Sequence, residues 1–227
     1  CIIYHYKAED LTNIPDALHE TNRHLGLAPF ANRYLKRIRY GNRRPWYADH
    51  PYAPTLPAAD AEYFFELVLD YGEHKDPADE EQTPAFQEIR DWEARPDAFS
   101  SYRSGFEIRT YRRCFNILLF HHFPEETQRD NSKFGRDYLV RSVSLQYQPS
   151  SINDSGQTEV SYLKSIVQKG YIRRDDQSYS VRQLPPLAFE YQRLRWNTEV
   201  RIVDREHIAN APIGLTGNYQ WVDLYRS

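Results

Sequence analysis

The sequence predicts a mainly β fold, built on a large antiparallel sheet with long strands and a few short helices in the excursions between them. Its aromatic content is the first reason, since 18 Tyr, 11 Phe and 4 Trp favour pleated surfaces over helices. The second is the alternation of apolar and polar residues along several stretches, which is typical of strands. Clusters of turn-forming residues separate these stretches and predict loops.

The first two strands are predicted from alternation. Large apolar and polar residues alternate over residues 34–40, and Gly41 and Asn42 directly after them supply turn chemistry. The same pattern covers residues 63–71, where Phe65 and Leu67 fall on one face and Glu66 and Val68 on the other. Gly72 is predicted to end this strand.

The longest strand is predicted over residues 106–123, where a polar, Arg-rich half passes into a nearly continuous apolar half. Such a strand is expected to run from a wet region into a buried one. Further strands are predicted at residues 138–147, 162–172, 179–184 and 187–193. Short helices are predicted at residues 16–24 and 84–93.

We expect residues 1–227 to form a single β-rich fragment of a larger chain. The sequence starts at Cys1 without any Met, and residues 216–227 resemble the start of a truncated following strand. Residues 72–99 form an acidic stretch with few cations, which predicts a solvated excursion between strands.

Charge and cysteine content limit the possible functions. The net charge of −3 and pI near 6.3 give no global field that attracts nucleic acid or an anionic membrane. No stretch reaches the roughly 20 apolar residues that cross a bilayer. Cys1 and Cys114 lie far apart, without metal or redox spacing, and are predicted to be two unpaired, inert thiols.

Two arginine clusters interleaved with tyrosines raise the alternative of nucleic acid binding. The clusters are Arg37, Arg39, Arg43, Arg44 and Arg109, Arg112, Arg113. The acidic overall balance argues against this alternative. Cross-strand pairing of these arginines with Glu66, Asp70 or Glu107 explains them at lower cost.

Candidate chemistry is sparse. His121 and His122 are adjacent, so an extended strand would point them to opposite faces and prevent them from sharing one metal ion. His74 lies next to Glu73, but no second spaced histidine completes a ligand set. Ser100 has no nucleophile-elbow sequence around it and is predicted to lie in a hydrogen-bonded turn. Glycine-rich phosphate loops are absent, so no nucleotide cofactor is expected.

Longer segments are more specific than these single residues. They are residues 34–42, residues 65–74, the block 92–114, His121 to Phe123, residues 139–142, 162–163, 179–180, 184–187 and 189–191. In this order they resemble one family, the B component of insecticidal toxin complexes. The segments resemble the middle region of this component. That region lies in the N-terminal half of the component and follows a Salmonella-virulence-plasmid-like domain.

The resemblance gives a set of residues a structural role, with no catalytic, cofactor or metal-binding residue among them. These residues are Tyr34, Arg37, Gly41, Asn42, Asp70, Tyr71, Gly72, Trp92, Arg95, Phe99, Ser100, Tyr102, Arg103, Gly105, Arg109, Tyr111, His121, His122, Arg141, Pro185 and Pro186.

In that family the B and C components form a β-sheet shell with rearrangement-hotspot repeats, which encloses a toxic C-terminal segment. A β-propeller of the B component docks onto a pore-forming A component. The resemblance therefore implies a non-enzymatic segment of the shell or next to the propeller, exported within a large toxin complex. Its partners would be the rest of the same polypeptide and the C-like and A-like components, with no nucleic acid and no membrane span.

Related proteins can carry an ADP-ribosyltransferase domain. The sequence contains neither a Ser-Thr-Ser strand nor a Glu-x-Glu pair, so that activity is not expected here. Two alternatives from other classes stay open. One is a carbohydrate- or protein-binding module that uses exposed aromatics such as Trp46, Tyr47 and Tyr52. The other is a hydrolase with two carboxylates as acid and base in a single cleft.

Overall fold

The computed structural model describes residues 1–24, 31–45, 47, 52, 63–74, 88–123, 137–148, 160–174, 178–192, 199, 201–204, 206 and 209. The strands are β1 (Ile2–Ala8), β2 (Arg33–Asn42), β3 (Tyr63–Asp70), β4 (Phe99–Ser101), β5 (Ile108–Thr110), β6 (Asn116–His121), β7 (Tyr138–Tyr147), β8 (Leu163–Arg173), β9 (Tyr179–Gln183) and β10 (Leu187–Ala188). A 3-10 turn (Leu18–Glu20) and a short helix α1 (Thr21–His24) complete the elements.

Eight strands form one antiparallel sheet in the order β1-β2-β3-β6-β7-β8-β10, and β9 also pairs with β8. Strands β1 and β10 lie at opposite edges. Strands β4 and β5 form a separate two-stranded antiparallel ribbon. The prediction of a mainly β fold with a large antiparallel sheet is confirmed.

One face of the sheet carries the main apolar core. Val68 of β3 lies opposite Leu118 of β6, and both are fully buried. They pack with Phe120, Leu139, Tyr138, Tyr171 and Tyr179. The core therefore joins strands β3, β6, β7, β8 and β9, the part of the sheet far from β1.

Tyr34, Tyr71 and Trp92 form a second, aromatic cluster, which is called the Trp92 cluster. The ring of Tyr34 meets both others edge to face, with centroid distances of 5.6 Å to each. Tyr71 and Trp92 are 6.3 Å apart in the same geometry. Edge-to-face packing suits the ring quadrupoles, so the cluster is specific in shape as well as apolar.

The prediction of one strand over residues 106–123 is wrong, because the structure has two strands there, β5 and β6, which belong to different sheets. Between β5 and β6 the chain is not extended in a ladder, and Tyr111 and Arg112 are buried there. The Tyr111 amide donates to the hydroxyl of Tyr34 (2.9 Å), and the Phe115 amide donates to the carbonyl of Asp70 (2.8 Å). A side-chain hydroxyl and the last residue of β3 accept these bonds at the crossing between the two sheets.

Other boundaries differ more modestly. The predicted turn at Gly41 and Asn42 is wrong, since both residues belong to β2 and the bends follow at Arg43 and Arg44. The prediction of residues 138–147 as a strand is confirmed with the same bounds. The strands predicted at 162–172 and 179–184 are confirmed within one residue, whereas the one predicted at 187–193 is limited to β10.

The helix predicted at residues 16–24 is confirmed in place but is a 3-10 turn followed by one helical turn. Of the helix predicted at 84–93, the described residues 88–93 are not helical. The excursion predicted for 72–99 is exposed at residues 88–91, but it is not solvated throughout. Glu73, His74 and Trp92 are buried there, because the ends pack under β1 and β2. Residues 75–87 lie outside the described part of the chain.

The chain divides into two compact units, residues Cys1–Tyr191 and Gln192–Ser227. All the strands and helices named above lie in the first unit. In the second, Arg201 donates to Glu199 on the surface (3.0 Å). The strand predicted at 216–227 lies outside the described residues. Within the described part of the chain, no helix has the length and apolar character that crossing a membrane requires.

Candidate functional site

Some of the residues singled out in the sequence lie among buried charged groups around the Trp92 cluster. Within the cluster, the Tyr71 hydroxyl donates to the carbonyl of Leu35 (3.0 Å), so both tyrosine hydroxyls are bonded. The ring of Trp92 lies under two cations. The Arg112 guanidinium is 4.1 Å and the Lys7 ammonium 4.2 Å from its centroid.

Arg112 and Glu9 form an ion pair on one side of Trp92. The Arg112 Nε donates to Glu9 Oε2 (3.0 Å), and a second bond joins Nη2 to Oε1. The indole Nε1 of Trp92 donates to Asp10 (2.8 Å). These bonds tie the segment after β1 to the segment between β5 and β6.

A second group, called the lysine cluster, lies on the other side and contains Lys7, Lys36, Glu73, His74 and Glu88. Glu73 accepts from Lys7 (2.6 Å) and from Lys36. Burial alone would raise the pKa of Glu73, but the hydrogen bonds from Lys36 and Lys7 outweigh it and lower the pKa. Glu73 is therefore ionised, and it joins β1 and β2 to the turn after β3.

The lysine cluster also contains a metal-like arrangement. One ligand atom each from Glu73, His74 and Glu88 lies within 4.8 Å of the others. The Lys36 ammonium contacts all three, with distances of 3.3 Å to His74 Nε2 and 3.5 Å to Glu88. An ammonium group therefore occupies the position that a metal ion would need. No spacing pattern in the sequence indicates this grouping, because Glu88 lies 14 residues beyond His74 and only the fold brings it back.

Glu66 is the third buried carboxylate. It accepts from Arg39 Nε (3.0 Å), Arg37 Nη1 (3.3 Å) and His122 Nε2 (3.1 Å). Burial would raise the pKa of Glu66, but the His122 hydrogen bond and the two arginines hold it at about 2. The predicted pairing of arginine with Glu66 is confirmed.

His121 lies on the opposite face of the sheet from His122. Its ring packs edge to face on Phe65 (5.1 Å). Burial and the neighbouring His122 lower its pKa. The predicted opposite orientation of the two histidines agrees with this geometry.

Ser100 lies in β4, and the expected turn is wrong. Its hydroxyl donates to Glu107 (2.5 Å), which also accepts from Arg23 (2.6 Å) and Tyr102 (3.2 Å). The Arg23 hydrogen bond and the Ser100 hydroxyl hold the pKa of Glu107 at about 2. So acidic a carboxyl group is a poor base at neutral pH, which argues against Ser100 as a nucleophile.

Arg109 and Tyr111 extend this network to a neighbouring carboxylate, Glu20. Arg109 donates to Glu20 and to the Ser100 hydroxyl (3.1 Å). The Tyr111 hydroxyl donates to Glu20 (2.5 Å). The ribbon of β4 and β5 is thus fixed to the 3-10 turn by paired charges.

Asp70 and Gly72 shape the turn that ends β3. Asp70 Oδ1 accepts from the amides of Gly72 (2.9 Å) and His74 (3.1 Å), and Oδ2 accepts from Asn116 (2.8 Å). Gly72 has a φ of +100°, which favours glycine. The predicted strand end at Gly72 is confirmed.

The remaining singled-out residues are separate from these groups. Arg95 lies over the ring of Phe99 (4.8 Å) and pairs with Asp97. Gly41 in β2 packs under Phe65. The others are exposed or half-buried: Asn42 in β2, Arg103 and Gly105 in the turn between β4 and β5, Arg141 in β7, and Pro185 and Pro186 between β9 and β10.

A cavity of about 250 Å³ opens beside His74 and is lined by Asp70, Glu93 and Lys169, among others. Two carboxylates in one cleft is the arrangement that the hydrolase alternative requires. One of them, Asp70, already accepts three protein hydrogen bonds. Those bonds make it a structural group of the turn rather than a free acid or base.

The thiols and exposed aromatics complete the survey of candidates. Cys1 and Cys114 are both free, as predicted. Burial raises the pKa of Cys114 to about 12, so it is inert. Tyr47 and Tyr52 are exposed, as a stacking surface would require, and Trp46 lies outside the described residues.

The chain has clear relatives. A family model described as Salmonella virulence plasmid 65kDa B protein (SpvB) matches residues 1–123. The mono(ADP-ribosyl)transferases SpvB of Salmonella typhimurium strain 14028s and of Salmonella dublin are 38% identical over 151 residues, 66% of this chain. The chain spans 23% of the length of these relatives.

Solved structures share the fold. The TcdB2-TccC3-Cdc42 crystal structure matches with a TM-score of 0.65 and 33% identity, covering 86% of this chain and 8% of that one. The Photorhabdus luminescens Tc holotoxin pore matches with a TM-score of 0.61 and 34% identity, covering 84% of this chain and 8% of that one. The N-terminal domain of the effector SpvB from Salmonella typhimurium strain LT2 matches with a TM-score of 0.53 and 32% identity, covering 83% of this chain and 47% of that one.

These matches agree with the toxin-complex resemblance and correct one detail of it. Residues 1–123 lie within the SpvB-type region, whereas the sequence predicted a position after it. The similarity to the B-component structures continues over most of the chain. The chain therefore belongs to the SpvB family, as part of an SpvB-like and toxin-complex-B-like N-terminal region.

Proposed function

We propose that this chain is a structural segment of a toxin-complex B-like protein, which contributes antiparallel sheet to a shell around a toxic C-terminal cargo. In this proposal residues 1–227 are one segment of a longer polypeptide. The segment lies in the shell wall or beside a propeller of the same protein, and rearrangement-hotspot repeats follow it.

The observation that carries the proposal is an apolar row on the face of the sheet opposite the main core. Tyr4, Ile38, Leu67 and Leu119 are cross-strand neighbours in β1, β2, β3 and β6. Tyr4 is exposed, and the other three are only half-buried. A sheet that is apolar on both faces is typical of one that is covered on both sides in its assembly. A shell wall that holds an unfolded cargo has this character.

The paired charged groups support a non-catalytic role. The carboxylates of Glu66, Glu73 and Glu107 each accept hydrogen bonds from at least two cationic side chains or from a cation and hydroxyl groups. Their pKa values lie below the ordinary range of a carboxyl group. Such groups hold strands together, whereas a catalytic acid needs a raised pKa.

The partners follow from the proteins that the chain resembles. We assign a C-like component, which completes the shell, and a pore-forming A-like component, onto which the shell docks. The TcdB2-TccC3 and Tc holotoxin structures are assemblies of this type and support the assignment. The complex would be exported as a toxin.

Cargo protection tests the proposal. The intact gene product is produced with a C-like component that carries its C-terminal segment, and the complex is treated with trypsin. We expect the cargo to resist digestion in the complex and to be digested when free. A cargo that is cut equally fast in both samples contradicts the proposal.

Two variants in the apolar row sharpen this test. Leu119→Glu places a charge on the apolar face, and Arg141→Glu changes the exposed residue paired with Leu119 in the next strand. We expect the first variant to lose cargo protection and the second to keep it. Circular dichroism on both variants separates a lost shell from a lost fold.

A further inference from the structure

We propose that the cavity beside His74 binds one neutral hexose ring, either as a free sugar or as the last unit of a glycan. Its volume of about 250 Å³ lies below the ~300–1,000 Å³ of pockets for drug-sized ligands, so it suits a molecule the size of one sugar ring. The inference goes beyond the proposed shell function and does not depend on it, because every residue of the site belongs to this chain.

The floor of the cavity is a polar patch on the sheet face that carries the main core. Asp70 of β3, Asn116 of β6 and Ser144 of β7 are direct cross-strand neighbours, and all three line the cavity. Lys169 of β8 lies on the same face, because it pairs with Ser142, two residues from Ser144. Groups carried by neighbouring strands are held in fixed positions, as a binding site requires.

Arg90 and Glu93 form one side of the cavity and are tied to the turn after β3. The amide of Glu93 donates to the carbonyl of Tyr71 (3.0 Å), and the Arg90 Nε donates to the carbonyl of Gly72. A Cβ at Gly72 would lie 2.9 Å from Cγ of Glu93, so the glycine leaves the space that the Glu93 side chain occupies. Both side chains therefore have a defined place at the cavity.

The cavity offers acceptors and donors that the fold itself does not use. The described part of the chain provides no hydrogen-bond partner for the Asn116 side-chain oxygen or for the Glu93 carboxylate. Gln146 is bonded through its oxygen and Arg90 through its Nε, so both have further N–H donors. The Ser144 hydroxyl can do either. The Asn116 oxygen and the Ser144 hydroxyl are not sealed from solvent, so a ligand can reach both.

This mixture of donors and acceptors selects the class of ligand. A carboxylate only accepts hydrogen bonds and would be repelled by Glu93, whereas an ammonium only donates and would be repelled by Arg90. A hydroxyl group donates and accepts, so a neutral sugar can satisfy both kinds of group. Phe115 adds apolar surface to the lining, which suits the CH face of a sugar ring.

Saturation-transfer difference NMR on the intact gene product tests the inference. The probes are the neutral hexoses D-glucose, D-galactose and D-mannose, with D-glucuronate as a matched anion and D-glucosamine as a matched cation. We expect at least one neutral hexose to bind with a Kd of about 2 mM, which ordinary per-atom affinity gives a ligand this small. The charged sugars should bind about five-fold more weakly or not at all.

The methyl glycoside of the hexose that binds distinguishes the two sources of the ring. Binding of the glycoside supports the end of a glycan as the ligand, because the anomeric oxygen then has room for a further group. Loss of binding supports the free sugar.

Two serine variants locate the binding. Ser144→Ala removes a hydroxyl from the floor and should weaken hexose binding about five-fold. Ser142→Ala is the control on the same face of β7. It removes a hydroxyl that is bonded to Tyr171 (2.9 Å) outside the cavity lining, and it should leave hexose binding unchanged. Circular dichroism on both variants shows that the fold is kept.

A third variant tests the choice of a neutral ligand. Glu93→Gln keeps the shape of the side chain and removes the negative charge. It should therefore allow D-glucuronate to bind beside Arg90 while hexose binding is retained.

No saturation transfer to any of the neutral hexoses overturns the inference. Tighter binding of D-glucuronate or D-glucosamine than of every neutral hexose also overturns it, as does equal hexose binding by Ser144→Ala and the wild type. The samples contain no cargo and no partner component, so this result and the cargo-protection result are independent of each other.

Discussion

Arg112 and Glu9 lie 103 residues apart in the sequence and form a salt bridge whose two side chains are both fully buried. The guanidinium also covers the ring of Trp92. This buried pair joins the segment before β2 to the segment after β5.

Substitution of Glu9 by Gln tests this pair. The substitution leaves the Arg112 charge buried without its counter-ion, so we expect the free energy of unfolding to fall by about 3–5 kcal/mol. Urea unfolding followed by tryptophan fluorescence measures it. The control is Glu199→Gln, which removes an exposed pair with Arg201 and should leave the midpoint unchanged. Equal midpoints for both variants would show that the buried pair contributes nothing.

The raised pKa of His122 makes the stability of the fold depend on pH. Burial lowers its pKa, but hydrogen bonds with Asp137 and Glu66 outweigh burial and raise it. A raised pKa in the folded state adds stability at low pH, which is lost as the pH rises through that pKa. His122→Gln should therefore cost more stability at pH 5.5 than at pH 8.5, as measured by urea midpoints.

His121 is the matched control, and its effect on stability depends on pH in the opposite direction. Its folded-state pKa is lowered, so its contribution is present at high pH and is lost as the pH falls. His121→Gln should accordingly cost less at pH 5.5 than at pH 8.5. If both variants respond to pH in the same direction, the assigned environments of the two histidines are wrong.

Removal of Lys36 should create a metal site. Lys36→Ala leaves Glu73, His74 and Glu88 within 4.8 Å of one another without the ammonium between them. Three such ligands and a water suit zinc. We expect added Zn²⁺ to raise the thermal midpoint of the variant and to leave the wild type unchanged.

Two further variants locate the zinc effect. Lys7→Ala keeps Lys36 in the centre, so it should gain no zinc response. Adding His74→Ala to Lys36→Ala should abolish the response, because it removes the nitrogen ligand. A response that survives in the double variant would place the zinc elsewhere.

Gly41 and Gly105 separate backbone strain from steric clash. Both have positive φ, +68° and +85°, so alanine at either position costs about 1–2 kcal/mol in backbone strain. A Cβ at Gly41 would also lie 2.7 Å from Phe65 Cδ2, whereas at Gly105 no atom lies within 4 Å. Gly41→Ala should therefore lower the unfolding free energy more than Gly105→Ala. Equal losses would show that the Phe65 ring moves aside freely.

The sequence predicted the sheet well where a strand repeats its pattern without interruption. Polar and apolar residues alternate strictly over 142–147, and the predicted bounds 138–147 match β7. Strand β1 was missed, although Ile2, Ile3, Tyr4 and Tyr6 are β-branched or aromatic and would have supported it. The error at 106–123 has another cause. Tyr111 and Arg112 look like strand residues, but buried partners from β2 and from the segment after β1 hold them outside any ladder.

The site was less accessible to prediction. Pairing of Arg37 and Arg39 with Glu66 follows from strand chemistry and could be foreseen. The contacts around Trp92 join residues that are 77 and 103 positions apart, and no local pattern encodes such distances. The Lys36 contacts with His74 and Glu88 likewise exist only after β2, β3 and the following turn have folded together.

Pro185 and Pro186 make the two edges of the sheet different in their backbone hydrogen-bond donors. They lie between β9 and β10, which pair with successive lengths of the same strand, β8. Proline has no amide hydrogen, so a strand arriving at this edge meets a gap in the row of donors in the middle of its path. Every residue of β1, at the other edge, carries an amide hydrogen. An edge strand directs alternate amides outward, so an added strand would find donors along β1 but a gap at the β9–β10 edge, which favours extension of the sheet at β1.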